Sequence, residues 1–308
     1  MFKKLISLKD KFIKRDFISY LYQDEKYLVL KNRVENGELI EVERSEFSEE
    51  ELIKYIKDSL ITNSLTYIST IVKSVNQGIV DSCSHKRYQE LEIDVQDIKI
   101  LCLKDFSLYL SLYDYDLEKK DNKKFSLDFL YSEYGLIHKF GLEENRLYLL
   151  IMKTHITIII TNKYPVYGNI HYFSSDEDDV ENFDSVMDSI DDDILGEFDD
   201  DIADIDDLSE DIEEESEIVE DELEENDEQV VEHIKEENEI ISFLQDNLKI
   251  YYNNYGDNFV EEIVILPQHS FSEHIDRTIE NELIIPTTKQ EIDILKLMNI
   301  VSKEELNV

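Results

Sequence analysis

Seven histidines and two cysteines are the side chains of this 308-residue chain best suited to metal binding or nucleophilic chemistry. A zinc or metalloprotease site needs ligands at fixed short spacings, such as H-x-x-H or H-E-x-x-H. His138, His233, His269 and His274 stand in no such spacing. Ser82-Cys83-Ser84-His85 puts a thiol beside an imidazole, but neighbours on a turn seldom meet productively, and catalytic Cys and His are usually far apart in sequence. Cys83 and Cys102 form no C-x-x-C and read as two reduced, buried thiols. His155, set between two apolar runs in RLYLLIMKTHITIIITNKYPVYGNIHYF (146–173), reads as a satisfied or exposed strand residue rather than a general base. G-x-S-x-G and G-x-x-x-x-G-K-[ST] are both missing. The residues therefore nominate no catalytic, cofactor-binding or metal-ligating side chain.

The charge pattern excludes another class. The formal net charge is −42, yet 30 acidic residues lie between Asp176 and Glu228, and no Lys or Arg occurs from Phe173 to Ile234. The acidity belongs to one segment. A chain without a basic surface is a poor ligand for phosphates, so direct nucleic-acid binding is not expected. No apolar run reaches membrane-span length and the N-terminus lacks a signal-peptide core, so a cytoplasmic protein is expected.

The elements that would position any site follow from the apolar periodicity. Residues 1–15 form a basic amphipathic segment. Phe2, Leu5, Ile6, Phe12 and Ile13 sit near one helical face, with Lys3, Lys4, Lys9, Lys11, Lys14 and Arg15 around them, a pattern suited to an anionic membrane surface or an acidic partner. Three strands follow from Phe17, the last two joined at Asn36-Gly37, a pair favoured where both central turn residues need positive φ. Ser48 with Glu51 marks a capped helix start. Strands are predicted at 66–74, 78–83, 99–105 and 106–115, a surface loop at 118–124 and a helix over 125–141. A second meander occupies 146–153, 155–162 and 166–173.

Residues 174–228 are too polar to fold alone and are expected to be a disordered insertion. Within them Ile190, Ile194, Phe198, Ile202, Ile205 and Leu208 recur at helical steps, a stripe that could fold against a partner. A helix over 232–258, a strand at 260–266, a helix at 270–283, a short strand at 284–286 and a helix over 287–300 close the chain.

Three strands in meander, a helix and a strand thus occur twice. This order, the segment Pro165-Val166-Tyr167-Gly168-Asn169-Ile170, and FLQDNLKIYYNNYGDNFVEEIVIL (243–266) followed by SEHIDRTIENELIIPTT resemble the PilM and GspL cytoplasmic-domain family. These are actin-like platform proteins of type IV pili and type II secretion. The resemblance implies an α/β, actin-like (ribonuclease H-like) two-lobed fold with mixed sheets and the acidic insertion. Its first subdomain would span 16–140 and its second 141–173 with 229–308.

In that fold nucleotide is held between two Asp-x-Gly hairpins and a Gly-rich turn. The corresponding stretches here are Leu21-Tyr22-Gln23-Asp24-Glu25, Ile151-Met152-Lys153-Thr154-His155 and Pro267-Gln268-His269-Ser270, all without glycine. The resemblance therefore implies a non-enzymatic scaffold without cofactor, peripheral to the inner membrane, in a pilus, secretion or DNA-uptake (competence) platform. Its partner would be the cytoplasmic tail of a membrane protein, with an assembly ATPase as a further partner. The competing readings are an active ATPase or kinase with unusual site residues, and an acidic adaptor for a basic protein.

Overall fold

The computed structural model describes residues 14–173, 220–255, 258–268 and 274–307. Two five-stranded sheets share one plan. In the first, β1 (Asp16–Gln23), β2 (Lys26–Glu35) and β3 (Glu38–Phe47) form an antiparallel meander, and β4 (Thr66–Ile71) and β8 (Phe129–Tyr131) extend it in parallel on the β1 side, giving the order β3-β2-β1-β4-β8. In the second, β9 (Arg146–Ile151), β10 (His155–Thr161) and β11 (Pro165–Tyr172) repeat the meander and β12 (Glu262–Pro267) and β13 (Thr287–Lys289) the parallel pair, in the order β11-β10-β9-β12-β13. A third sheet, β5-β7-β6, joins β5 (Gln77–Val80), β7 (Ser107–Ser111) and β6 (Ile98–Cys102).

Sequence explains the repeat. A meander strand covered on both faces is rich in isoleucine: β10 reads HITIIIT and is buried along its whole length. At the outer edge, β3 reads ELIEVERSEF and is mostly exposed, its charges guarding an open edge. Asn36 and Gly37 both take positive φ in the β2–β3 turn, as the dipeptide predicts. Helix α1 (Glu49–Thr62) starts with the expected capping box of Ser48 and Glu51, and its Leu52 and Ile56 pack on Ile18, Val29 and Ile68.

Several elements differ from the sequence reading. The polar break after Cys83 is a short helix α2 (His85–Glu90), capped by the Ser84 hydroxyl. The strand expected over 106–115 ends at Ser111, whose hydroxyl caps α3 (Leu112–Asp121), so most of the expected 118–124 loop is helix and a 3-10 turn. The single helix expected over 125–141 is split. Ser126 at positive φ breaks it, Phe129–Tyr131 joins β4, and α4 (Glu133–Gly141) follows. Helix α5 (Glu220–Asn254) begins earlier than expected, inside the stretch assigned to the acidic tract, because Glu and Leu are strong helix formers and acidic residues suit a helix N-terminus. Helix α6 (Ile275–Leu283) forms as expected. The expected 284–286 strand is displaced to β13, because Ile284 takes a left-handed cap, and Asp293 then caps α7 (Ile294–Glu305).

Residues 14–172 and 240–307 make one compact unit, and the described residues of α5 before Ile240 belong to another. In the first unit the helix ending each repeat crosses to the other sheet. Helix α4, which follows β8, packs on β10, whereas α7, which follows β13, packs on β1, β2 and β4. Leu136, Ile137, Leu295 and Met298 join apolar side chains of both sheets in one core. Polar bonds fix the crossing: Ser19 Oγ donates to Leu295 O at 2.8 Å, Asn299 Nδ2 to Asn32 Oδ1 at 2.7 Å, and Tyr131 and Ser302 share a 3.0 Å hydroxyl contact. On the far side of the second sheet, Ile240, Leu244, Leu248 and Tyr251 form the buried stripe of α5, and Asn247 Oδ1 accepts from Tyr167 OH at 2.6 Å and Asn169 Nδ2 at 2.8 Å.

At Gly168 close approach requires glycine. A Cβ on Gly168 would lie 2.8 Å from the ring of Tyr134 and 2.9 Å from Ile79 Cδ1. Tyr134 is fully buried and cannot swing aside. Gly168→Ala is therefore expected to destabilise the protein by about 1–3 kcal/mol through overpacking, measured by urea denaturation, whereas Gly141→Ala meets no neighbouring atom and is strained only by its φ of +104°.

Candidate functional site

The two meander hairpins face one cavity of about 260 Å³, lined by Leu21, Tyr22, Gln23, Thr70, Ile71, Lys73, Met152, Lys153, Thr154, His155 and Tyr172. A smaller hollow of about 160 Å³ adjoins it at Tyr22, Thr70, Ile71 and Lys73, and reaches Glu118 and Asn122. The first hairpin turns at Asp24-Glu25 with φ of 51° and 59°. Both residues are thus in the left-handed region that a two-residue turn of this type demands, without the glycine that adopts it freely. Lys153, in the second hairpin, meets Asp24 at 2.6 Å, and the pair ties one turn to the other. Lys73 lies over the Tyr22 ring with its ammonium 4.4 Å from the centroid.

Below Thr154 the polar groups are deeply buried. His155 is 4% exposed and Glu133 1%. Thr154 Oγ1 lies 2.9 Å from His155 Nδ1, His155 Nε2 lies 2.6 Å from Glu133 Oε1, and Thr157 Oγ1 donates to Glu133 Oε2. Tyr172 stacks on the imidazole at 4.7 Å, and burial pushes its hydroxyl well up from the usual tyrosine range. Both imidazole nitrogens and both carboxylate oxygens are occupied, so the cluster fastens the start of α4 to β10. His155 is the satisfied strand histidine that its position suggests. The third stretch is also built into the frame: Gln268 Oε1 accepts from Ile294 N at 2.8 Å and so caps α7. His269 and Ser270 lie outside the described residues.

Phe2, Lys3, Lys4, Leu5, Lys9, Lys11, Phe12 and Ile13 also lie outside the described residues, as do Ile190, Ile194, Phe198, Ile202, Ile205 and Leu208. Lys14 and Arg15 are described: Asn63 Nδ2 donates to Lys14 O at 3.2 Å and Val34 N to Arg15 O at 2.9 Å. No group of three or more potential ligands that could hold a metal ion occurs among the described residues, and no described helix is long and apolar enough to cross a membrane.

Comparison with known families places residues 147–307 in the domain of unknown function DUF8341. The chain belongs to the DUF8341 family. Residues 13–138 match a second model, the domain of unknown function DUF8569. No curated protein matches. Among solved structures, this DUF8341 protein is similar to the PilM–PilN type IV pilus biogenesis complex, with TM-score 0.50 and 9% identity over 92% of this chain and 89% of that one. A Bacteroides thetaiotaomicron protein with an actin-like ATPase fold and unknown function gives TM-score 0.42 and 12% identity, covering 97% and 96%. The cytoplasmic domain of EpsL, an inner-membrane component of the Vibrio cholerae type II secretion system, gives 0.40 and 8%, covering 95% of each. The DUF8341 protein has the actin-like fold, with the mixed sheets expected from its sequence, and its PilM-like architecture agrees with the resemblance read there.

The site residues that sequence reasoning missed are Glu133 and Thr157. Their signal is the period-two placement of His155 and Thr157 in a strand otherwise rich in isoleucine, which puts two polar groups on one buried face. Glu133→Ala leaves both without their acceptor. It is expected to lower stability by about 3 kcal/mol, seen as a Tm fall of several degrees in calorimetry. At the first hairpin, Glu25→Gly relieves a left-handed non-glycine residue and is expected to raise stability by about 1 kcal/mol in the same assay.

Proposed function

We propose that this DUF8341 protein is a non-catalytic actin-like scaffold that binds the cytoplasmic tail of an inner-membrane protein in a pilus, secretion or DNA-uptake platform. The observation that carries the reading is the state of the two hairpins. Where the fold's nucleotide-binding members are expected to offer glycine amides and a metal-managing aspartate, this chain offers Lys153 paired with Asp24 and a buried His155–Glu133 cluster. Backbone amides reach phosphate oxygens only where no side chain intervenes, and bulky hairpin residues oppose that approach. The likeness to PilM in its complex with PilN supports a partner of the same kind for this chain.

The basic segment at 1–15 suits attachment to anionic headgroups, each well-placed lysine contributing up to ~1 kcal/mol. Its short apolar face makes that attachment reversible, so the membrane partner supplies the second signal. The acidic tract, with its apolar stripe from Ile190 to Leu208, would then be free to capture a basic protein such as an assembly ATPase.

Isothermal calorimetry of the purified chain with Mg-ATP is expected to show no binding up to millimolar nucleotide. Micromolar affinity abolished by changes at 151–155 would instead favour an ATPase or kinase. Membrane co-sedimentation is expected to need both residues 1–15 and the partner, and to fall with salt.

A further inference from the structure

The chain's two cysteines, distant in sequence, converge at one end of the three-stranded sheet. Cys102 ends the edge strand β6 and stands opposite Ser107 of β7; Val80, the last residue of β5, stands opposite Ser107 on its other side. Beyond β5 the chain curls over the start of β7. Ser107 Oγ donates to Ser82 O at 2.6 Å, and Tyr88 OH meets the same hydroxyl at 2.7 Å, which fixes this curl. It sets the Cys83 thiol on the β6–β7 turn, 3.7 Å from Leu103 O and 3.6 Å from Phe106 O. Leu103 adjoins Cys102, and its N–H closes the turn on Phe106 O at 2.9 Å. Both thiols are free, but they are not the buried pair expected from the sequence: Cys83 is half-buried and Cys102, on an edge strand, is exposed.

We infer that Cys83 and Cys102 form an oxidant-responsive dithiol, whose modifying reagent is a hydroperoxide and whose product is an intramolecular disulfide between the end of β5 and the edge strand β6. The exposed Cys102 sulfur attacks the peroxide, the O–O bond breaks, the alcohol (water when the reagent is hydrogen peroxide) leaves, and Cys102 becomes a sulfenic acid. Cys83 then displaces that hydroxyl as water and forms the S–S bond; two thiols are oxidised by two electrons and one hydroperoxide is reduced. Burial, and next to it the neighbouring Cys102, push the Cys83 thiol up, which suits it to the resolving rather than the attacking part. The bond would staple the edge strand β6, whose one strand partner among the described residues is β7. This inference does not rest on the scaffold role.

The test uses the full chain, reduced, freed of reductant and treated with a small excess of hydrogen peroxide. The expected result is loss of both thiols to Ellman's reagent under denaturing conditions, monomeric migration without reductant, a Cys83–Cys102 linked peptide in mass spectrometry, and full recovery with dithiothreitol. In Cys83→Ser, Cys102 is expected to accumulate as a dimedone-trapped sulfenic acid. The inference is overturned if the wild-type chain keeps its Cys83 thiol while Cys102 goes to sulfinic acid or to a disulfide-linked dimer, or if both thiols survive. The wild-type measurement stands whether or not the variant folds.

Discussion

A single carboxylate, sealed from water, sets the geometry of this protein's centre. Glu133 begins the helix that joins the two repeats and accepts from His155 and Thr157 of the second meander. A buried charge without partners would be costly, and removing either partner leaves the other group stranded. The helix therefore has one seat on β10. That seat fixes where Tyr134 stands, and Tyr134 in turn demands glycine at 168 across the sheet.

The same economy governs the other crossing. Asn299 and Ser302 on α7 are fully buried, and the Asn299 amide and the Ser302 hydroxyl each meet a polar group of the first sheet or its edge, so apolar burial supplies the driving force and polar matching supplies the register. The cleft between the hairpins is a by-product of these two crossings. It is walled by Tyr22 and Tyr172, closed at the rim by Lys153 and Asp24, and floored by Leu21, Ile71 and Met152.

Much of this architecture is legible in the sequence because it is written in local signals. The doubled meander shows in alternating and fully apolar runs, the β2–β3 turn in Asn36-Gly37, and the α1 start in Ser48 and Glu51. Elements whose identity depends on tertiary pairing are less legible. Phe129–Tyr131 is a strand because β4 offers it an edge, and nothing in Phe125–Gly141 alone distinguishes that from one continuous helix. Leu112–Asp121 buries no side chain fully, so its helix has no apolar stripe to announce it and starts only where the Ser111 hydroxyl caps it. At the site, the absence of glycine in both hairpins is plain from sequence. The Glu133–His155 pairing is not, because it joins a helix start to a strand 22 positions away.

The return of α7 to the first sheet has a bearing on biosynthesis. Residues 294–305 are translated well after β1, β2 and β4, yet they cover the face of those strands. Until they arrive, Leu30 and Ile71 lack the neighbours they share in the common core, and Asn32 lacks its amide donor. The first sheet must therefore wait, partly uncovered, for this helix. The two family models at 13–138 and 147–307 divide one compact unit.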